Sequence, residues 1–310
     1  MTGKILVIRG GAIGDFILTL PAITALRNRF PEAHLEVLGY PHIVGLAKAA
    51  GLVDRVQGIE ARALAGFFAR HGELAEDLVD YFSEFDLIVS YLYDPDEIFQ
   101  GNIELCSIAQ FIAGPHRADE NARLPAVYTY LKPLERLAIF DADPVPRLAL
   151  EPAPKAHNAL AFHPGSGSER KNWPEANWTE LLRELVQSTS FPLLLVGGEA
   201  EGGRLERLAA PLPPGRVRLV QSLALVELAR WLQGCRAFIG HDSGITHLAA
   251  ALGLPGLVLW GDTAEEIWRP PSKRMMVLRH PKGLGRLPVS TVFQALVKLE
   301  REEPVGAHSE

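Results

Sequence analysis

The chain predicts an α/β fold made of two domains, each a parallel sheet covered by helices. Three observations carry this. Strand-like and helix-like segments alternate along the whole chain, the signature of parallel sheets with helical crossovers. The alternation is interrupted once, near the middle, by proline-rich sequence, and then restarts. An apolar run from Arg236 to Ile239 leads into Gly-His-Asp-Ser-Gly and then a helical pattern, which is a strand, a tight turn and a helix start.

In the first half, residues 5–8 read as a strand, 16–29 as a helix, 35–38 as a strand and 43–50 as a helix. Residues 86–91 read as a further strand with Asp86 at its start. Pro21 lies inside the first helical pattern and predicts a kink, because it lacks an amide donor and disfavours α geometry at Leu20. The run Asp141-Ala142-Asp143-Pro144-Val145-Pro146 and the cluster Pro152-Ala153-Pro154-Lys155 read as a stiff linker. After it come strands at 159–162, 192–196 and 217–220, alternating with helices at 175–187, 201–209 and 225–232. A last helix is expected at 289–299 and a frayed tail from Glu302. The domains are therefore 1–152 and 153–288, followed by a C-terminal helix and tail at 289–310.

A chain of 310 residues, 47% hydrophobic, is long enough for two cores. The net charge of −6 does not suggest a nucleic-acid partner. Cys106 and Cys235 show neither disulfide nor zinc spacing, which fits a reducing cytoplasm. The first apolar run is too short for a signal peptide, and the window 248–260 is broken by Gly253 and Pro255 and too short for a bilayer. A soluble, cytoplasmic protein is expected, with docking on a membrane left open.

The stretch from Gly240 to Gly261 carries the sharpest signal. Asp242 is a good N-cap, which makes Ser243 and Gly244 the first helical residues with free amides at the helix end. Such an end is a ready phosphate site. His247 lies four residues after Ser243 on the same helix face, packed or facing the ligand. Asp242 is awkward beside a phosphate and easier to accept as a cap that also meets sugar hydroxyls. The loop His163 to Pro174 combines glycines, Ser166, Ser168, Arg170 and Lys171, and reads as a diphosphate grip or as a solvated turn. Trp173-Pro174, with Trp178, reads as the apolar entry to the next helix. Glu199, after Gly197-Gly198, could accept from ribose hydroxyls or simply favour a helix start.

The first loop, Arg9-Gly10-Gly11-Ala12-Ile13-Gly14-Asp15, lacks the G-x-G-x-x-G spacing. No acid follows the second strand, which ends Leu38-Gly39-Tyr40, so dinucleotide binding is not expected. Asp15 would lie at the carboxyl end of the sheet, as a helix cap or as a general base. The acidic pairs Asp94-Pro95-Asp96 and Asp141-Ala142-Asp143 imitate metal-binding D-x-D, but both lie far in sequence from the phosphate loops, and no metal is expected. No serine elbow of the G-x-S-x-G type is present.

Three blocks together resemble glycosyltransferase family 9, the ADP-heptose:lipopolysaccharide heptosyltransferases. They are Gly14-Asp15 with Leu20-Pro21 and Leu26-Arg27; His163 through Lys171 to Trp173-Pro174; and Asp242-Ser243-Gly244 with His247 through Gly253. They run in family order over nearly the whole chain. The resemblance implies a GT-B fold, two Rossmann-like domains facing across a central cleft, with acceptor on the first and nucleotide-sugar on the second. It implies inverting, metal-independent transfer without a cofactor. Asp15 would be the base. Lys171, Ser243 and Gly244 would hold the diphosphate, with Ser166, Ser168, Glu199, Asp242 and His247 completing the donor site. Gly14, Arg62 and Arg117 are the acceptor-side candidates. The implied partners are an ADP-sugar donor, heptose being the sugar, and a glycan or glycolipid acceptor, with peripheral contact to the inner membrane open.

Members acting on the Kdo–lipid A core carry a basic cluster after the third strand of the first domain. Here that stretch, 59–65, has Arg62 alone, and residues 1–150 hold 13 Lys and Arg against 20 Asp and Glu. A polyanionic acceptor would be repelled unless Arg62, Arg70, Arg117, Arg123 and Lys132 gather. The acceptor is thus open between a later core heptose, another surface glycan and a small molecule. Two other functions compete, a nucleotide-sugar epimerase or hydrolase on the same fold and a non-catalytic nucleotide-sugar-binding subunit.

Overall fold

The computed structural model describes residues 3–60, 62–151 and 158–302. The chain divides into two compact units between Pro146 and Arg147, slightly before the expected boundary at 152. The cluster Pro152-Ala153-Pro154-Lys155 and the tail beyond residue 302 lie outside the described residues.

The first unit runs β1 (Lys4–Arg9), α1 (Ile13–Arg29), β2 (His34–Gly39), α2 (Pro41–Ala49), β3 (Arg55–Gly58), a 3-10 segment (Arg62–Phe68), α3 (Glu76–Ser83), β4 (Leu87–Ser90), α4 (Ile98–Glu104), β5 (Gln110–Ala113) and α5 (Ala126–Leu131). Its five strands lie in the order β3-β2-β1-β4-β5, and every pairing is parallel. Leu6, Val7 and Ile8 are fully buried. That explains why β1 reads as a continuous apolar run rather than an alternating one. Each such side chain contributes about 1.5–3 kcal/mol. Phe67, Phe82 and Phe99 pack against Leu6 and Ile8 in the same core. Helix α1 continues through Pro21 to Arg29. Within the acidic pair at 94–96, Asp94 serves the backbone. It accepts from the amides of Phe99 and Gln100 at the start of α4, at 3.1 and 2.9 Å.

The second unit runs β6 (Leu160–His163), α6 (Glu175–Ser188), β7 (Leu193–Gly197), α7 (Arg204–Ala209), β8 (Val217–Gln221), α8 (Leu225–Gln233), β9 (Ala237–His241), α9 (Gly244–Ala251), β10 (Gly256–Leu259), α10 (Glu265–Trp268), β11 (Met275–Leu278) and α11 (Val289–Glu302). The strand order is β11-β10-β9-β6-β7-β8, again with parallel pairing throughout. Trp173, Trp178, Leu181 and Leu185 form its core with Val292 and Leu296 of α11. The segment entering this unit is tied to its helices. Leu148 N–H donates to Ala251 O at 2.8 Å, and the Gln233 amide donates to Leu150 O at 3.2 Å.

Both sheets reverse strand order between their first and fourth strands, β1/β4 in one and β6/β9 in the other. Open α/β sheets bind ligands outside the carboxyl ends of the strands at such a switch point. Among the described residues, no helix is long and apolar enough to cross a membrane.

Candidate active site

At the switch point of the first unit, β1 ends in Arg9 and α1 begins three residues after Gly10. Gly11 adopts φ +98°, a turn that a side chain would strain, and this brings the chain round into the helix. Asp15 falls in the first turn of α1, where its Oδ2 accepts from Ala12 N–H at 3.2 Å. Ala12 has no side-chain acceptor, so only this half of a capping box exists. The other oxygen, Oδ1, accepts from the Tyr130 hydroxyl at 3.3 Å and lies 3.7 Å from Arg9 Nη2.

Arg9 is almost wholly enclosed, its side chain 1% exposed against 28% for Asp15. Its Nη1 donates to His116 O at 2.8 Å and to Tyr91 O at 3.3 Å, and the guanidinium lies 4.5 Å from the Tyr130 ring centroid. Tyr91 in turn donates from its hydroxyl to Tyr130 O at 2.7 Å. Burial, with the Asp15 carboxylate beside it, pushes the Tyr130 phenol above its ordinary value, so it remains a donor. Asp15 is therefore both a cap and an aimed, half-exposed carboxylate. A group in that state can accept a proton from a hydroxyl.

At the switch point of the second unit, the loop after β6 and the turn after β9 meet. Lys171 Nζ lies 2.8 Å from Asp242 Oδ2, and Thr263, in the loop after β10, donates its hydroxyl to the same oxygen at 2.8 Å. The cap of α9 is Ser243, one residue later than expected, and Gly244 begins the helix. Asp242 does not cap because its carboxylate is held by Lys171 and Thr263. Ser243 Oγ instead accepts from Thr246 N–H at 3.4 Å. The awkwardness of an acid beside a phosphate site is thereby resolved, since Asp242 is neutralised by the lysine it holds.

Two histidines stand behind these loops. His163, at the end of β6, is buried with Nδ1 3.4 Å from Ser243 Oγ and Nε2 3.8 Å from Glu201 Oε1. His241, at the end of β9, is fully buried. Burial pulls both imidazoles well below their ordinary value, to about 3 for His163 and about 4 for His241, so both are neutral. Glu201 also accepts from Gly198 N–H. It packs so tightly that a Cβ on Gly165 would sit 1.8 Å from its Oε1.

The remaining candidates are placed as follows. Gly14 is in the first turn of α1. His247 is buried on α9, one turn from Ser243. The Ser166 hydroxyl, with one proton, faces two acceptors, Asn172 Oδ1 at 2.7 Å and Ser168 O at 2.9 Å. Ser168 and Glu199 are exposed on the loops after β6 and β7. Arg62 is exposed on the 3-10 segment. Arg117 is exposed and pairs with Glu120 at 2.8 Å. Lys132 pairs with Glu135 at 2.8 Å, and Arg70 faces Asp96 at 3.9 Å. Arg70, Arg117 and Lys132 are each matched to a local acid. Trp173 and Trp178 pack edge to face, 5.3 Å between centroids, at the entry to α6.

Arg9, Tyr130, His241 and Thr263 had no role in the sequence-based site. A charged residue closing an otherwise buried strand was a usable signal for Arg9. Tyr130 and Thr263 carry no motif.

The family model of glycosyltransferase family 9 (heptosyltransferase) matches residues 136–286. Lipopolysaccharide heptosyltransferase 1 of Pseudomonas aeruginosa is 38% identical over 130 residues, 42% of this chain and 33% of that protein. The aligned stretch thus spans about a third of that relative's length. Lipopolysaccharide heptosyltransferase 3 of Escherichia coli aligns at 22% identity over 299 residues, 85% of each chain. Among solved structures, the E. coli heptosyltransferase WaaC with ADP matches with a TM-score of 0.77 at 20% identity, over 96% of this chain and 99% of that one. At that identity the likeness shows the fold, two parallel α/β units of the GT-B kind. Residues 136–286 thus match the model of glycosyltransferase family 9, and the chain as a whole has the fold of the solved heptosyltransferases.

Proposed function

We propose that the protein is a glycosyltransferase that moves a heptose from ADP-heptose to a lipopolysaccharide-core or other glycan acceptor. The observation that carries this is the Lys171–Asp242–Thr263 cluster beside the amino end of α9, at the switch point of the second sheet and inside the stretch that matches the family. The names of the relatives supply the sugar and the acceptor class.

The chemistry follows from the two sites. An acceptor hydroxyl attacks the anomeric carbon, the bond from that carbon to the diphosphate oxygen breaks, and ADP leaves with the electron pair. A single displacement of this kind inverts the anomeric centre. Asp15 takes the hydroxyl proton, a contribution of about 10²–10⁴-fold. The free amides of α9, the Ser243 hydroxyl and Lys171 stabilise the charge growing on the leaving oxygen, which makes a metal or cofactor unnecessary. Ser166, Ser168 and Glu199 are assigned to the donor's phosphate and ribose side, Asp242 and His247 to its sugar side. Gly14, Arg62 and Arg117 are assigned to the acceptor. With Arg70, Arg117 and Lys132 of the first unit matched to local acids, an acceptor of modest negative charge fits better than a polyanion. A glycolipid acceptor would bring peripheral contact with the inner face of the membrane.

Calorimetric titration with ADP, UDP and GDP is the first test, and ADP is expected to bind most tightly. ADP-heptose with a panel of core glycans should then give a product of inverted configuration, unaffected by EDTA. UDP binding without ADP binding overturns the heptose donor. Nucleotide released without acceptor points to a hydrolase, and an isomerised donor to an epimerase.

A further inference from the structure

One buried side chain holds both ends of the loop that carries Lys171. His241 Nε2 accepts from Trp173 N–H at 2.8 Å, and Nδ1 lies 3.1 Å from Gly165 O. A carbonyl can only accept, so Nδ1 carries the proton and donates, while Nε2 is the bare acceptor. Gly165 and Trp173 stand at the two ends of the segment that includes Ser166, Ser168 and Lys171. The imidazole is itself fixed. Its ring meets Trp178 edge to face, 5.5 Å between centroids, and its backbone carbonyl accepts from the Thr246 hydroxyl. The Trp173 indole donates to Leu287 O at 3.0 Å, which anchors the far side of the loop.

We infer that His241 is a positioning residue that clamps the loop 165–173 in the shape that presents Lys171 to a nucleoside diphosphate. The inference rests on the donor site proposed above. His241 touches no substrate and acts through the loop. The clamp requires a neutral ring, because protonation of Nε2 would set N–H against N–H at Trp173. Burial keeps the ring neutral. The same strand end then delivers Asp242 and Ser243, so one residue sets the register between the β9 turn and the β6 loop.

The two nitrogens can be separated by substitution. In His241→Gln the side-chain oxygen stands where Nε2 was and keeps the acceptor for Trp173. In His241→Asn the amide nitrogen stands where Nδ1 was and keeps the donor to Gly165. Lys171 is two residues from Trp173, so the glutamine variant should retain function better. Expected are faster hydrogen exchange at the Trp173 amide and about tenfold weaker ADP binding in His241→Asn, with wild-type acceptor KM and both changes largely rescued in His241→Gln. Unchanged Trp173 exchange in a folded His241→Asn protein overturns the clamp. Faster exchange with unchanged ADP affinity overturns its role at the donor site. Failure of the wild-type protein to bind ADP, with the Trp173 exchange pattern as expected, overturns the function proposed above while leaving the clamp in place.

Discussion

The two switch points share a topology and differ in how they treat charge. In the first unit, a fully enclosed Arg9 closes the strand and stands behind Asp15, so a permanent cation lies under a half-exposed carboxylate. In the second unit the equivalent strand end is His163, and its neighbour across the sheet is His241, both neutral. There the charged pair, Lys171 and Asp242, lies in front of the histidines. A buried guanidinium keeps a fixed positive charge beside its partner. Neutral imidazoles fix geometry without imposing a field. The first arrangement suits proton transfer, and the second leaves the field to the lysine, the helix end and the ligand.

Asp15→Asn should cut transfer by about 10²–10⁴-fold while ADP binds as in the wild type. Wild-type turnover by this variant would remove the chemical half of the contrast. Arg9→Met tests whether the buried cation matters. It strands the carbonyls of Tyr91 and His116, and we expect a loss of about 3 kcal/mol in urea unfolding. An equally stable variant would make the two strand ends equivalent. Lys171→Ala should weaken ADP binding about tenfold or more, by calorimetry, and leave a carboxylate at position 242 without its counter-charge.

The histidines predict a pH effect confined to the second unit. Folded His163 and His241 titrate at about 3 and about 4 against an ordinary 6.5, so below 6.5 the unfolded chain binds protons that the folded chain does not. Their contribution is fully present above pH 6.5 and is lost as pH falls towards about 4 for His241 and about 3 for His163, by up to about 1.4 kcal/mol per pH unit for each. His163→Gln should remove about half of that slope in unfolding curves between pH 6.5 and 4.5. An unaltered slope would show that His163 is not neutral when folded. The smallest effect belongs to Tyr130→Phe, which deletes one hydrogen bond at 3.3 Å to Asp15 and should lower kcat about threefold without changing donor KM.

The central strands were legible because burial on both faces leaves an unbroken apolar run, as in β1, β7 and β9. The edge strands β3 and β5 of the first sheet were not, since Arg-Val-Gln-Gly and Gln-Phe-Ile-Ala mix polar residues with partial exposure. Asp15, Lys171 and Ser243 were legible from the loops that carry them. Asp242 and Ser243 are equally good caps in sequence. The choice between them was decided by Lys171, 71 residues away. Tyr130 is 115 residues from Asp15, and no local pattern could have joined them. His241 gave no signal because its partners are backbone groups, which every residue possesses.

The close approach of Gly165 to Glu201 has a consequence for the sequences this fold can tolerate. Any side chain at 165 must evict a buried carboxylate that also holds Gly198 N–H, so one substitution would loosen the loops after both β6 and β7. In a library randomised at position 165 alone, selection for a folded second unit should return glycine. Other residues should reappear at 165 only when 201 is varied too, and the survivors should carry a shorter side chain there. The two positions would then drift as one unit of inheritance, although 36 residues separate them in the chain.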